Sequence, residues 1–294
     1  MADDQALVSA TFDLDGDRPP STPVLDLRGE ITPVSALLAD LWRRRGLILM
    51  LADKEFHSRY RSATFGVLWS VLLPLVQGAV MAVVFTHVVH ISVGHGDSYP
   101  IYVMVGTVMW AYFSGTLTSG STSLVDQGAI AGKVYFPRLI LPAVSAVSNL
   151  PSFVISVLVT LGLMPLFGAA FKPQLLLLPV AMVLFGVLAV AISAICSVAH
   201  VYFRDVRYIV QAALMLLLYA APVIYSLDQP HGILRTLITA DPISGPLQLA
   251  HYAVFGHAPS LVSALCATGV ALVLLTVVTV AAYRRYERIA CDRL

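Results

Sequence analysis

Along this chain, long apolar stretches alternate with short polar or basic intervals. They run over 65–89, 101–125, 139–167, 175–199, 209–225 and 261–283. A bilayer-crossing helix needs roughly 20 mostly apolar residues, so the pattern predicts an all-α membrane protein with six transmembrane helices. Pro74, Gly78, Gly106, Gly115, Pro151, Gly162 and Gly186 fall within these stretches, which suits closely packed or kinked helices in a bundle. Ahead of the first stretch, Val34, Leu37, Leu38 and Leu41 recur at helical spacing, and a short apolar run covers 47–51. Neither piece can span. They predict an N-terminal amphipathic helix in the membrane interface, with Arg43 to Arg45 near lipid phosphates, or else one packed on a cytosolic domain. Between the fifth and sixth stretches, residues 226–260 hold two apolar patches, 232–240 and 245–255. Each is too short to cross, and Asp241-Pro242 divides them while Pro230 and Pro259 bound them. The pattern predicts two short re-entrant helices there, against a plain surface loop as the alternative.

Composition strengthens this picture. Of 294 residues 58% are hydrophobic and 12% charged, about half the charged share of an ordinary soluble domain, and mean hydropathy is +0.82. The net charge of +1 gives no reason to expect nucleic acid as a partner. With the N-terminus inside, the Lys and Arg residues fall on the cytosolic side except Lys172 and Arg235. The positive-inside bias therefore predicts a multi-pass protein of a bacterial inner membrane with both termini cytosolic. Residues 1–33 are acidic and Pro-rich, with no basic segment leading into an apolar one, which predicts a disordered cytosolic tail and no cleaved signal peptide. The expected organisation is 1–33 tail, 34–64 interfacial helix and connector, and 65–294 six-span domain.

The acidic residues avoid the middles of the apolar stretches. Ion-coupled transporters and many intramembrane enzymes hold ionisable groups inside the bundle, so both classes are disfavoured. Cys196, Cys266 and Cys291 match neither a metal-ligand spacing nor a disulfide framework. His87, His90, His95 and Asp97 cluster in sequence, but read better as interfacial polar residues than as a metal site; His200, His251 and His257 carry no signal of their own. Gly128-Ala-Ile-Ala-Gly132-Lys133-Val134 imitates a phosphate-binding loop, yet its spacer is one residue short, Val134 stands where Ser or Thr must hold magnesium, and no strand precedes it. The expectation is a chain with no catalytic residues, metal or cofactor of its own, whose energy comes from another polypeptide.

Five blocks then fall in register with the six stretches. They are Asp53-Lys54-Glu55-Phe56-His57-Ser58-Arg59-Tyr60-Arg61 leading into Gly66 and Trp69; Gly132-Lys133-Val134-Tyr135-Phe136-Pro137-Arg138 with Leu141-Pro142; Tyr202-Phe203-Arg204-Asp205; Pro222-Val223-Ile224-Tyr225 with Asp241-Pro242; and Tyr283-Arg284-Arg285-Tyr286-Glu287. From about Leu37 to the end the chain resembles the permease subunits of polysaccharide-exporting ABC transporters, the type 2 exporter permeases. It departs at Asp241, where the family commonly has Asn, and in its longer acidic tail.

The resemblance implies a homodimer forming a pore above two cytosolic ABC ATPase subunits, which bind the ATP and magnesium. It implies a cytosolic coupling helix between spans two and three, so that Gly128, Gly132, Lys133, Val134, Tyr135, Phe136 and Arg138 contact the ATPase; positive charge at Lys133 and Arg138 also serves as a topological anchor. It implies a glycan carried on polyprenyl diphosphate as substrate. The Ala- and Val-rich style is similar to actinobacterial members, pointing to a cell-wall galactan or an O-antigen-like glycan. Arg59 and Arg61, just ahead of the first span, are candidates to meet the carrier diphosphate or lipid head groups. Trp110, Tyr112 and Phe113 are candidate pore-lining rings, with core packing as the alternative for Trp110. Two other functions fit the same apolar pattern: an ABC permease for a small lipid or drug, and a membrane-embedded polyprenyl-phosphate transferase.

Overall fold

A computed structural model describes residues 43–61, 65–87, 98–127, 140–227 and 231–291, with the backbone alone for residue 60 and residues 284–291. In chain order its α-helices are α1 (Arg45–Tyr60), α2 (Leu68–His87), α3 (Tyr99–Asp126), α4 (Ile140–Leu163), α5 (Leu178–Tyr202), α6 (Val206–Ala220), α7 (Gly232–Ala240), α8 (Ser244–Phe255) and α9 (Leu261–Cys291). Single turns of 3-10 helix at Met164–Phe167 and Pro173–Leu177 join α4 to α5. No strand occurs among the described residues.

Five of these helices are long and apolar enough to cross a membrane: α2, α3, α4, α5 and α9. The stretch read as a fifth span over 209–225 differs. Its helix, α6, has 15 residues, about 22 Å against a hydrocarbon core of about 30 Å. The chain leaves helical geometry at Ala221 (φ −77°, ψ 150°) because the next residue is Pro222, whose ring excludes the α region for the residue before it. The two patches beyond become α7 and α8, within a residue of where the sequence places them.

The bundle is organised around α3, whose most apolar window is 78% buried, against 11% for α9. It packs on α2, α4, α5, α6 and α8. A helix enclosed this way cannot be amphipathic, and several of its hydroxyls turn back onto their own backbone, as Thr107 does onto Val103 and Ser123 onto Gly120. Small residues let its neighbours approach: a Cβ at Gly120 would lie 2.8 Å from the Ser193 side chain on α5. The peripheral helices instead turn large apolar side chains outward, including Leu73, Val80, Leu158, Val183, Val273 and Val277, the composition that lipid tails accept.

The predicted interfacial helix is present in part. Residues 34–42 lie outside the described residues, while α1 covers the run over 47–51 and continues through the block that precedes the first span. It buries Ile48, Leu51 and Ala52 against Leu124, Ile140, Leu141, Val144, Ala194, Val198 and Tyr283, and leaves Leu49 and Met50 about 60% exposed.

Candidate functional site

The α1 end of the bundle gathers a polar cluster beside that apolar seat. Glu55 lies one turn beyond Leu51 and so reaches between α3 and α4. Its Oε1 accepts from Arg59 Nη2 at 2.9 Å and from the Ser148 hydroxyl at 3.0 Å. Its Oε2 accepts from Gln127 Nε2 at 3.2 Å and more loosely from the Ser145 hydroxyl at 3.5 Å. Arg59 Nη1 donates to Asn149 Oδ1 at 2.5 Å, and the Asn149 amide donates to the Ser145 carbonyl at 2.7 Å. The Glu55 and Arg59 side chains are 19% and 32% exposed, so this ion pair sits at the rim of the bundle, where water screens it less than on an open surface. Each carboxylate oxygen has two donors, which is what a partly buried carboxylate requires.

The location gives the cluster its interest. Gln127 closes α3 and Ile140 opens α4, so the segment 128–139 is flanked by two residues that both hold α1, one by a hydrogen bond to Glu55 and one by apolar contact. A further ion pair, Arg207 to Asp126 at 3.4 Å, ties the start of α6 to the same end of α3. The tyrosine of the C-terminal block also reports here, with the Tyr283 hydroxyl 3.0 Å from Ser197 on α5.

At the opposite end, the Pro222-Val223-Ile224-Tyr225 block is a buried, non-helical strap across α3. The Tyr99 hydroxyl donates to the Ile224 carbonyl at 3.0 Å and the Tyr102 hydroxyl to the Tyr225 carbonyl at 3.1 Å, supplying donors that irregular backbone inside a bundle must find from protein. Gly106 sits directly beneath it, where any Cβ would collide with the Val223 carbonyl. Asp241 Oδ1 accepts from the Ile243 N–H at 3.1 Å, forming the turn between α7 and α8. Burial pushes that carboxyl above the usual carboxylate range, the Ile243 hydrogen bond opposing it. Lys172, one of the two basic residues outside the positive-inside set, donates to the Phe255 carbonyl at the C-terminus of α8, where Gly256 takes the left-handed conformation (φ 78°). Arg235, the other, donates to the Ser260 hydroxyl at 2.9 Å.

Trp110, Tyr112 and Phe113 are 5%, 5% and 0% exposed, enclosed in the subunit's own core. Phe113 stacks on Phe185 of α5 at 4.9 Å, Tyr112 on Phe153 of α4 at 4.3 Å, and Trp110 leans on Phe113 at 5.6 Å. These rings join α3 to its neighbours. Arg59 spends its guanidinium on Glu55 and Asn149, while Arg61 is exposed. Gly128, Gly132, Lys133, Val134, Tyr135, Phe136 and Arg138 lie outside the described residues, as do His90, His95 and Asp97. Sequence reading took Glu55 only as part of its first block and passed over Gln127, Ser145, Ser148 and Asn149. The four-residue spacing of Glu55 and Arg59, and an Asn just before Pro151 in an apolar run, were the available signals.

Five helices long and apolar enough to cross a membrane, packed about a strapped central helix, define a multi-pass membrane protein. The chain belongs to the ABC-2 type transporter family, whose model matches residues 46–255. It is a transporter subunit that passes several times through the membrane. It is 29% identical over 221 residues, 74% of this chain and 84% of the relative, to the O-antigen export system permease protein RfbA of Myxococcus xanthus. A second relative, the O-antigen export system permease protein RfbA of Klebsiella pneumoniae, is 25% identical over 201 residues, 67% of this chain and 76% of that protein.

Proposed function

We propose that this chain is the transmembrane permease subunit of an ATP-driven exporter that carries a polyprenyl-diphosphate-linked polysaccharide out of the cytosol across the bacterial inner membrane. It works as a homodimer with two ABC ATPase subunits. The observation that carries the reading is that α1 holds both residues flanking segment 128–139, Gln127 by its hydrogen bond to Glu55 and Ile140 within the apolar cluster of Ile48 and Leu51. A segment anchored at both ends to one surface helix can pass a displacement to α1, α3 and α4 together. Gly128, Gly132, Lys133, Val134, Tyr135, Phe136 and Arg138 therefore receive the push of the ATPase. Arg61, exposed beside this end, meets the carrier diphosphate or lipid head groups. The names of the relatives support a polysaccharide cargo, and the sequence style favours a galactan or O-antigen-like chain.

In this reading α6 with residues 221–227 forms a short fifth span of six, and α7 and α8 dip into the outer leaflet. Support for the dip comes from Thr268, which donates to the Pro242 carbonyl at 2.8 Å. That residue lies seven positions into α9, about 10 Å from the helix start. The α1 end is cytosolic and the α7–α8 end faces out, in accord with the distribution of Lys and Arg.

The deciding experiment is purification of the full-length chain from its native membranes in mild detergent. A stoichiometric ATPase should come with it. Replacing Tyr135 and Phe136 with Ala should leave that ATPase bound and hydrolysing while glycan export stops. Retained export in this variant, or no ATPase in any of several detergents, overturns the proposal.

A further inference from the structure

The polar groups at the α8 end are not balanced as those at the α1 end are. His251 is 2% and Gln248 1% exposed, one turn apart on α8. The His251 ring stacks on Tyr102 with centroids 3.8 Å apart and planes 9° from parallel, and its Nε2 lies 3.2 Å from the Tyr102 carbonyl. A carbonyl only accepts, so Nε2 carries the proton, and in the neutral ring Nδ1 is left as a bare acceptor. Among the described residues that Nδ1 has no partner, and neither do Oε1 or Nε2 of Gln248. Three such atoms together are unusual. Leaving one buried polar group unpaired costs about 1–3 kcal/mol, and the great majority in folded proteins are paired.

All three belong to residues that line one recess of about 250 Å³ counted to its mouth, with Tyr102, Ser226, His257 and Pro259 completing the wall. Its enclosed part has room for about one water-sized oxygen. The missing partner is thereby defined. It must donate to a nitrogen or carbonyl acceptor, accept from an amide N–H, carry no charge, and end in a single small oxygen. A carboxylate cannot donate and an ammonium cannot accept. A hydroxyl oxygen does both.

We propose that this recess is a hydroxyl-binding site, in which one hydroxyl oxygen donates to His251 Nδ1 or Gln248 Oε1 and accepts from Gln248 Nε2. Two sources share that chemistry: a resident water, and a hydroxyl of a sugar presented at the mouth. The site itself rests on the unpaired atoms; only the sugar source rests on the proposed export of a polysaccharide.

The test reads the His251 Nδ1 nitrogen directly. The full-length chain, labelled with 15N at histidine and reconstituted in nanodiscs, is observed by NMR with and without methyl glycosides of the common hexoses. The His251 signal is assigned by its loss in His251→Phe or, should that variant not fold, by removing the other seven histidines in turn. A hydrogen-bonded acceptor moves upfield from a free one. An upfield Nδ1 without glycoside identifies a resident water. A free Nδ1 that moves upfield only with glycoside identifies a sugar subsite, and Gln248→Met should then slow export by about five-fold, the value of one neutral hydrogen bond. A free Nδ1 under both conditions overturns the proposal. Failure of the polysaccharide reading alone removes the glycoside response and leaves the water signal in place.

Discussion

The two ends of α3 meet polar side chains in opposite ways. At the α1 end every oxygen of Glu55 has donors drawn from three helices. At the α8 end Gln248 and His251 are more deeply buried and yet leave three atoms unpaired among the described residues. A satisfied network fixes one geometry, because any displacement strands a charge, whereas an unsatisfied one waits for a ligand. The first is suited to transmitting position and the second to receiving a molecule.

The sharpest way to break this contrast is to separate the strap from α3. Gly106→Ala places a methyl group against the Val223 backbone, which cannot rotate aside, and should cost about 3 kcal/mol, the upper end of core overpacking. A clear fall in the apparent melting temperature of the purified full-length chain is expected; an unchanged value means the strap yields. Next, Glu55→Ala strands Arg59 and the Gln127 amide, and should cost about 2 kcal/mol after allowing for the partial exposure of the pair. Glu55→Gln, which keeps the shape, should fall between it and the native chain. If both variants melt like the native chain, the α1 end holds nothing in place. Tyr99→Phe removes one donor from the Ile224 carbonyl and should cost about 1 kcal/mol, read in the same assay.

The smallest expected effect has a sign set by pH. Burial raises the Asp241 carboxyl in the folded chain, so the folded state holds its proton more tightly than the unfolded one. Stability is therefore greatest in acid and falls as pH rises through the window between the ordinary and the raised value. Asp241→Asn keeps the oxygen that accepts from Ile243 and cannot ionise. It should be the more stable chain above that window and lose its advantage below it. A variant equally stable at every pH, or weaker at neutral pH, would show that the buried charge is not what this turn resists.

Much of the fold was legible because lipid imposes a coarse rule. Twenty apolar residues in a row announce a helix whatever surrounds them, and 101–125 and 261–283 fall inside α3 and α9. The stretch over 209–225 reads longer than its helix α6 because hydropathy does not register that Pro222 ends a helix from the residue before it. The burial of the Trp110, Tyr112 and Phe113 rings was not legible for another reason. Whether an aromatic faces a neighbour or a channel depends on helix rotation, which an all-apolar helix like α3 leaves without a pattern. The Glu55 cluster was harder still, since Gln127, Ser145 and Ser148 acquire meaning only when three helices converge.

The 28 residues of α3 make a single rod about 42 Å long, gripped by Glu55 at one tip and by the Val223 strap near the other. Thermodynamic linkage makes such a rod a two-way device. Should a hydroxyl in the recess favour one setting of the strap, it must alter the free energy of seating α1 by the same amount that seating α1 alters the grip on the hydroxyl. Occupancy at one end would then be felt as a changed seating of α1 at the other, with no messenger between them but the helix.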